Sequence, residues 1–275
     1  MNGTFSREVG LLVVGHGTAD PEGAAETRGV AEAVAELLPG IAVELGFLEV
    51  IGPTIADALG RLAERGCREI VAAPLLLFAA GHAKRDVPEA IAGPAAALGL
   101  RVRQAEPFGC RPEIVELSRL RRHEAVAGLR PVAPAETVLL MIGRGSSDPA
   151  AATQLRGFTE ATLADEPEKR PGRVELGFVA AARPRLDEAI ATACDPIGGE
   201  RRRIVVQPHL LFRGHVEEQV RGAVCTGREL RPDLEWVQVA RLGADRLVAR
   251  ALAARALEVI GPESLTRQGW CESSQ

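Results

Sequence analysis

The sequence predicts an α/β protein built from two tandem, duplicated, doubly wound parallel-sheet domains with a cleft between them. Three observations predict it. The chain has 275 residues, comfortable for two domains that each bury a core. Its second half repeats the motifs of the first in the same order. Short apolar runs alternate throughout with apolar stripes at helical spacing.

The repeat is the strongest of these. "LLVVGHGTADPEG" (Leu11–Gly23) returns as "LLMIGRGSSDPAA" (Leu139–Ala151), "VELGFLE" (Val43–Glu49) as "VELGFVA" (Val174–Ala180), and "IVAAPLLLFAAGH" (Ile70–His82) as "IVVQPHLLFRGH" (Ile204–His215). "EPFGCRPEIVELSRL" is echoed more faintly by "ARLGADRLVARAL". The join falls near Gly128–Pro134, where "GLRPVAPAE" reads as a linker. The domains are therefore expected at 1–130 and 131–275.

Within a repeat, Leu11–Gly15 is a short apolar run suited to a strand buried on both faces. Asp20-Pro21 supplies an N-cap and a proline at the first helical position. Val30, Val34, Leu37 and Leu38 make the helix stripe, which stops before Pro39-Gly40. Ile41–Leu48 is the second strand. Pro53 opens a helix with Ile55, Leu59 and Leu62 inward, ended by Gly66. Ile70–Phe78 is the third strand and Val102–Pro107 the fourth, followed by a helix over Glu113–Arg122. The second repeat starts at Val138 and ends in a helix over Asp245–Val259, with the last dozen residues as a tail. Strands separated by helices imply right-handed crossovers and a parallel sheet.

Composition narrows the function. The formal charge is -4, with no long basic tract, which argues against a nucleic-acid or membrane-surface partner. Arg201-Arg202-Arg203 reads as a solvated turn before a strand. The five cysteines, Cys67, Cys110, Cys194, Cys225 and Cys271, are scattered and form no C-x-x-C pair, as in a reducing compartment. The N-terminus carries no signal-peptide pattern, and no apolar run is long enough to span a bilayer. A cytoplasmic protein is expected.

In doubly wound sheets, ligands bind outside the carboxyl ends of the strands. Those loops hold His16 after strand one, Glu49 at the end of strand two and His82 after strand three. Two imidazoles and a carboxylate suit a first-row divalent metal; the same trio can also accept protons. Neutral imidazoles are needed for either role, so activity should fall as pH drops through the unperturbed imidazole value of about 6.5. Gly15 and Gly17 allow close backbone approach to a large ligand. The second repeat has lost most of the trio: Arg144 stands for His16 and Ala180 for Glu49, while His215 answers His82. Arg144 cannot ligate a metal but can grip a carboxylate. "GRGSSDP" also resembles an anion-binding nest. Among the other histidines, His123 in "RLRRHEA" reads as solvated on a charged helix face. His209 in "QPHLLF" reads as a core residue rather than one turned to the cleft.

"GHGT" after the first strand, "GFLE" with a following Pro, and "APLLLFAAGHAKRDVPEAI" resemble the sirohydrochlorin chelatases, the class II chelatase family that inserts cobalt in the cobalamin branch or iron in the siroheme branch. The resemblance covers essentially the whole chain, since the long form of that family is a tandem of two such units. It implies a lyase acting on a tetrapyrrole bound in the cleft. The divalent metal is a substrate (Co²⁺ favoured, Fe²⁺ possible) held by His16, Glu49 and His82, and no organic cofactor is implied. Sirohydrochlorin carries many carboxylates, and Lys84, Arg85, Arg144, Arg213 and His215 lie near the expected mouth to receive them. A fused pair of units makes a monomer plausible, with a homo-oligomer left open. The chain lacks the His-rich tract and C-x-x-C of some relatives, which removes a metal-store or cluster role. A histidine phosphatase reading fails because Gly15 stands where that class needs Arg before the His. A non-enzymatic tetrapyrrole or metal carrier with the same trio stays open.

Overall fold

The computed structural model describes residues 8–79, 82–195 and 202–261. The expected C-terminal tail and Arg201 lie outside them. In the first sheet β1 (Val9–Gly15) is central and fully buried. It pairs in parallel with β2 (Ala42–Phe47) on one side and β3 (Glu69–Pro74) on the other, and β4 (Arg101–Gln104) extends β3. The order is β2-β1-β3-β4. The second sheet repeats it as β6-β5-β7-β8, from β5 (Thr137–Gly143), β6 (Arg173–Phe178), β7 (Arg203–Pro208) and β8 (Glu235–Gln238). The helices are α1 (Pro21–Leu37), α2 (Ile55–Glu64), α3 (Val87–Ala97), α4 (Pro112–Val126), α5 (Ala150–Ala164), α6 (Leu186–Cys194), α7 (His215–Leu230) and α8 (Arg246–Ile260).

Local chemistry sets the starts and stops. The Asp20 side chain accepts from Glu22 and Gly23 N–H and caps α1, with Pro21 first in the helix. Thr54 and Asp57 form a capping box at α2. Gly66, at φ 89, follows the end of that helix. Strands β3 and β4 end at Pro74 and Gln104, short of the expected Phe78 and Pro107. Leu75 N–H still bonds Val14 O, but β1 ends at Gly15, so Leu76–Phe78 have no neighbouring strand to pair with.

The compact units do not follow the repeat boundary at 130/131, which is a boundary of sequence. One unit gathers the described residues up to Phe108 together with those from Ala244; the other is Gly109–Gly243. The last helix of each repeat is exchanged. α8 packs on α1 and β3 of the first sheet, and α4 packs on α5 and β8 of the second.

The two exchanged helices dock by different chemistry. In α8, Leu252 and Ala256 are buried. At the matching positions α4 carries Ser118 and Arg122, also buried. Arg122 donates to Thr162 O at 2.9 Å, to Thr162 Oγ1 at 3.3 Å and to Gln207 Oε1 at 3.1 Å. Gln207 in turn donates to Ser118 O and Oγ at 2.6 and 2.9 Å. The first unit has Val34 in α1 and Ala73 in β3 where the second has Thr162 in α5 and Gln207 in β7; Ala73 stands opposite Val13 as Gln207 stands opposite Met141. Four polar residues thus answer one another in one unit, and four apolar ones in the other. Placing α4 on the first sheet would bury a guanidinium without its acceptors, at a cost of several kcal/mol. Arg203 also departs from expectation. It is buried at the start of β7, with its guanidinium on Glu235 and on Arg130 O.

Candidate functional site

Order β2-β1-β3 with α1 and α3 leaving β1 and β3 on opposite faces puts the topological switch point between β1 and β3. His16 follows β1 directly, and Glu49 lies two residues beyond β2. The parallel ladder runs past both strands: Leu48 N–H bonds Gly15 O at 2.9 Å and Glu49 N–H bonds His16 O at 3.1 Å. That extension brings the side chains together, with His16 Nε2 and Glu49 Oε1 3.1 Å apart. Both remain accessible, at 31% and 58% exposure.

Gly17 makes the approach possible. It sits at φ 100, and a Cβ there would lie 1.9 Å from Glu49 O. Gly15 has no room for one either, with the Phe47 ring at 2.9 Å. Inside the fold, both glycines allow close contact between β1 and β2. Thr18 Oγ1 accepts from Asp20 N–H and steadies the turn into α1. On the other side, Arg28 of α1 lies over the Phe47 ring and donates to Gly52 O at 3.2 Å, tying the Glu49 loop to that helix.

The pair can share a metal ion. Two ligands each about 2.1 Å from a tetrahedral or octahedral metal are themselves about 3.0–3.4 Å apart. The observed separation of 3.1 Å fits that bite without rearrangement. The backbone of His82 opens a π turn (His82–Asp86) before α3, but its side chain lies outside the described part of the structure. Among the described residues no three His, Cys, Asp or Glu side chains converge as a metal cluster. Lys84 and Arg85 stand exposed in the same turn.

The second unit keeps the scaffold. Ala180 N–H bonds Arg144 O at 2.9 Å, as Glu49 bonds His16. Gly145 sits at φ 90 against Ala180 O, and Ser146 and Asp148 repeat the roles of Thr18 and Asp20. Arg144 is exposed, Arg213 partly so, and His215 is exposed at the first turn of α7. A feature not read from the sequence is the Glu217–Arg241 pair, in which Arg241 Nη1 donates to both carboxylate oxygens, at 3.0 and 3.1 Å. Glu217 replaces Lys84 and Arg241 replaces Pro107, so a coordinated change at two distant positions was its signal.

The remaining histidines are accounted for. His123 is not simply solvated: its Nε2 lies 2.7 Å from Glu166. His209 is a core residue, 3% exposed and 4.0 Å from the Phe158 ring centroid. Burial pushes it down to about 3, so it is neutral at physiological pH.

Comparison with known proteins identifies the family. The CbiX family model matches residues 10–125 and again 138–259. A sirohydrochlorin cobaltochelatase of Priestia megaterium is 30% identical over 80% of this chain and 71% of its own. A sirohydrochlorin ferrochelatase of the same organism is 31% identical over 77% and 76%. SirB from Bacillus subtilis with Fe³⁺ superposes with a TM-score of 0.78 at 26% identity, covering 95% of this chain and 98% of that one. SirB from Bacillus subtilis subspecies spizizenii in complex with cobalt gives 0.75 at 26% identity, covering 93% and 97%. No helix among the described residues is long and apolar enough to cross a membrane.

Proposed function

We propose that this chain, which belongs to the CbiX family of sirohydrochlorin chelatases, inserts a divalent metal ion into sirohydrochlorin, with cobalt the favoured metal. The observation that carries this reading is the accessible His16–Glu49 pair at the carboxyl ends of β1 and β2, spaced to share one ion. Metal insertion exchanges M²⁺ for the two pyrrole N–H protons of the macrocycle. The first repeat does this chemistry. His16 and His82 hold the incoming ion, leaving coordination positions open for the pyrrole nitrogens. Glu49 completes the ligand set or takes a proton as the ion passes to the ring. Lys84 and Arg85, exposed in the turn before α3, receive carboxylates of the substrate.

The reaction is placed in the cytoplasm, on the scattered cysteines, four of which are free among the described residues. The duplication supports a monomer, in which a second unit on the same chain stands in for a partner.

Anaerobic absorbance of sirohydrochlorin with Co²⁺ or Fe²⁺, with and without the protein, tests the reading. Faster insertion supports it, and the ratio of the two rates names the metal. Spectral binding without faster insertion would leave a carrier.

A further inference from the structure

Val50 follows Glu49 and is held at φ 71. A β-branched residue is a true outlier in that left-handed region, because its side chain crowds the backbone. The strain gains little packing within the chain, for Val50 is 64% exposed. The other large apolar residues found exposed among the described ones, Leu98, Leu120, Leu129 and Leu230, lie within or after helices. Val50 lies in a loop at the carboxyl ends of the strands, beside the His16–Glu49 pair.

The turn does not need a valine. The second unit makes it with Ala181, at φ 55, after Ala180. Ala182 N–H bonds Ala180 O at 2.7 Å, as Ile51 N–H bonds Glu49 O at 2.8 Å. The left-handed backbone therefore belongs to the fold, and the isopropyl group is an addition. It occurs on the copy that carries His16 and Glu49 and is missing from the copy that has lost both.

Resting on the chelatase reading above, we infer that Val50 is a specificity-determining contact: its side chain bears on the apolar face of the bound tetrapyrrole and seats the ring over the His16–Glu49 pair. The ring is a broad apolar surface. A rigid, solvent-facing side chain beside the metal ligands buries area only when that surface arrives.

Val50→Gly and Val50→Asn test this, since both residues tolerate positive φ and neither presents the apolar branch. Three quantities are read beside the wild type: the unfolding midpoint, the affinity for metal-free sirohydrochlorin by absorbance titration, and the affinity for Co²⁺ alone by calorimetry. The expected result is a midpoint equal to or above the wild type, unchanged Co²⁺ affinity, and macrocycle affinity reduced about tenfold in both variants. Macrocycle affinity unchanged in both variants would overturn the inference while leaving the chelatase reading intact. So would a lowered midpoint, which would mean that the valine packs within the chain. A wild type that neither binds sirohydrochlorin nor speeds metal insertion would remove the chelatase reading, and the inference with it.

Discussion

His16 Nε2 and Glu49 Oε1 stand 3.1 Å apart because the ladder between β1 and β2 continues one residue pair beyond the strands, through Glu49 N–H to His16 O. The two candidate side chains are thus held by backbone hydrogen bonds that tie the loop after β2 to the end of β1. Their preorganisation survives until something separates the two strand ends.

Gly17→Ala should separate them. The new methyl would meet Glu49 O at 1.9 Å, at a φ of 100. The expected loss is at least about 2 kcal/mol of stability, with Co²⁺ affinity falling in parallel. Gly145→Ala meets the same obstacle at Ala180 O, 1.8 Å away. It should cost similar stability but leave Co²⁺ affinity unchanged, which calorimetry can read for both variants.

Arg122→Ala should destabilise by about 2–4 kcal/mol, because it strands the buried acceptors on Thr162 and Gln207. Installing the apolar set of the other unit, Ser118→Leu, Arg122→Ala, Thr162→Val and Gln207→Ala together, should recover most of that loss. Urea unfolding of the single and fourfold variants measures the non-additivity. Simple addition of four losses would mean that the polar set is not a unit.

Acid stability should depend on His209. Its folded value is lowered to about 3, against about 6.5 in an unfolded chain. Between these values the unfolded state binds the extra proton, so stability falls as pH drops through that window, by up to about 1.4 kcal/mol per unit. His209→Leu, which places there the residue found at Leu75 in the first unit, should flatten this limb of the unfolding midpoint between pH 6 and 4. An unchanged slope would assign the acid sensitivity elsewhere.

The repeat made the fold legible. Once "GHGT" and "GRGS" are aligned, the central strand, the capping Asp-Pro and the loops at the carboxyl ends of the strands follow from the pattern of apolar runs. Strand ends were less legible, because Leu76–Phe78 are apolar enough to continue β3 and stop only where β1 gives out. The helix exchange was not legible from periodicity, since a stripe shows that a face is buried without showing what buries it. Its signal was the matched pair of Ser118 and Arg122 with Thr162 and Gln207, visible only after the two repeats are compared residue by residue. His16 and Glu49 were legible as neighbours because parallel strands end side by side. The left-handed turn at Val50 was not, since nothing in the composition of "GFLEVIGP" demands a positive φ for a valine.

On the proposed function, metal transfer belongs to the repeat that carries His16 and Glu49 and not to the one that carries Arg144 and Ala180. The most direct measurement is the anaerobic rate of Co²⁺ insertion into sirohydrochlorin, over a range of macrocycle concentrations, for wild type, His16→Ala and Arg144→Ala. The expected result is loss of kcat by at least about a hundredfold in His16→Ala, and near-normal kcat in Arg144→Ala. Equal loss of kcat in both variants, or full activity in His16→Ala, would contradict it.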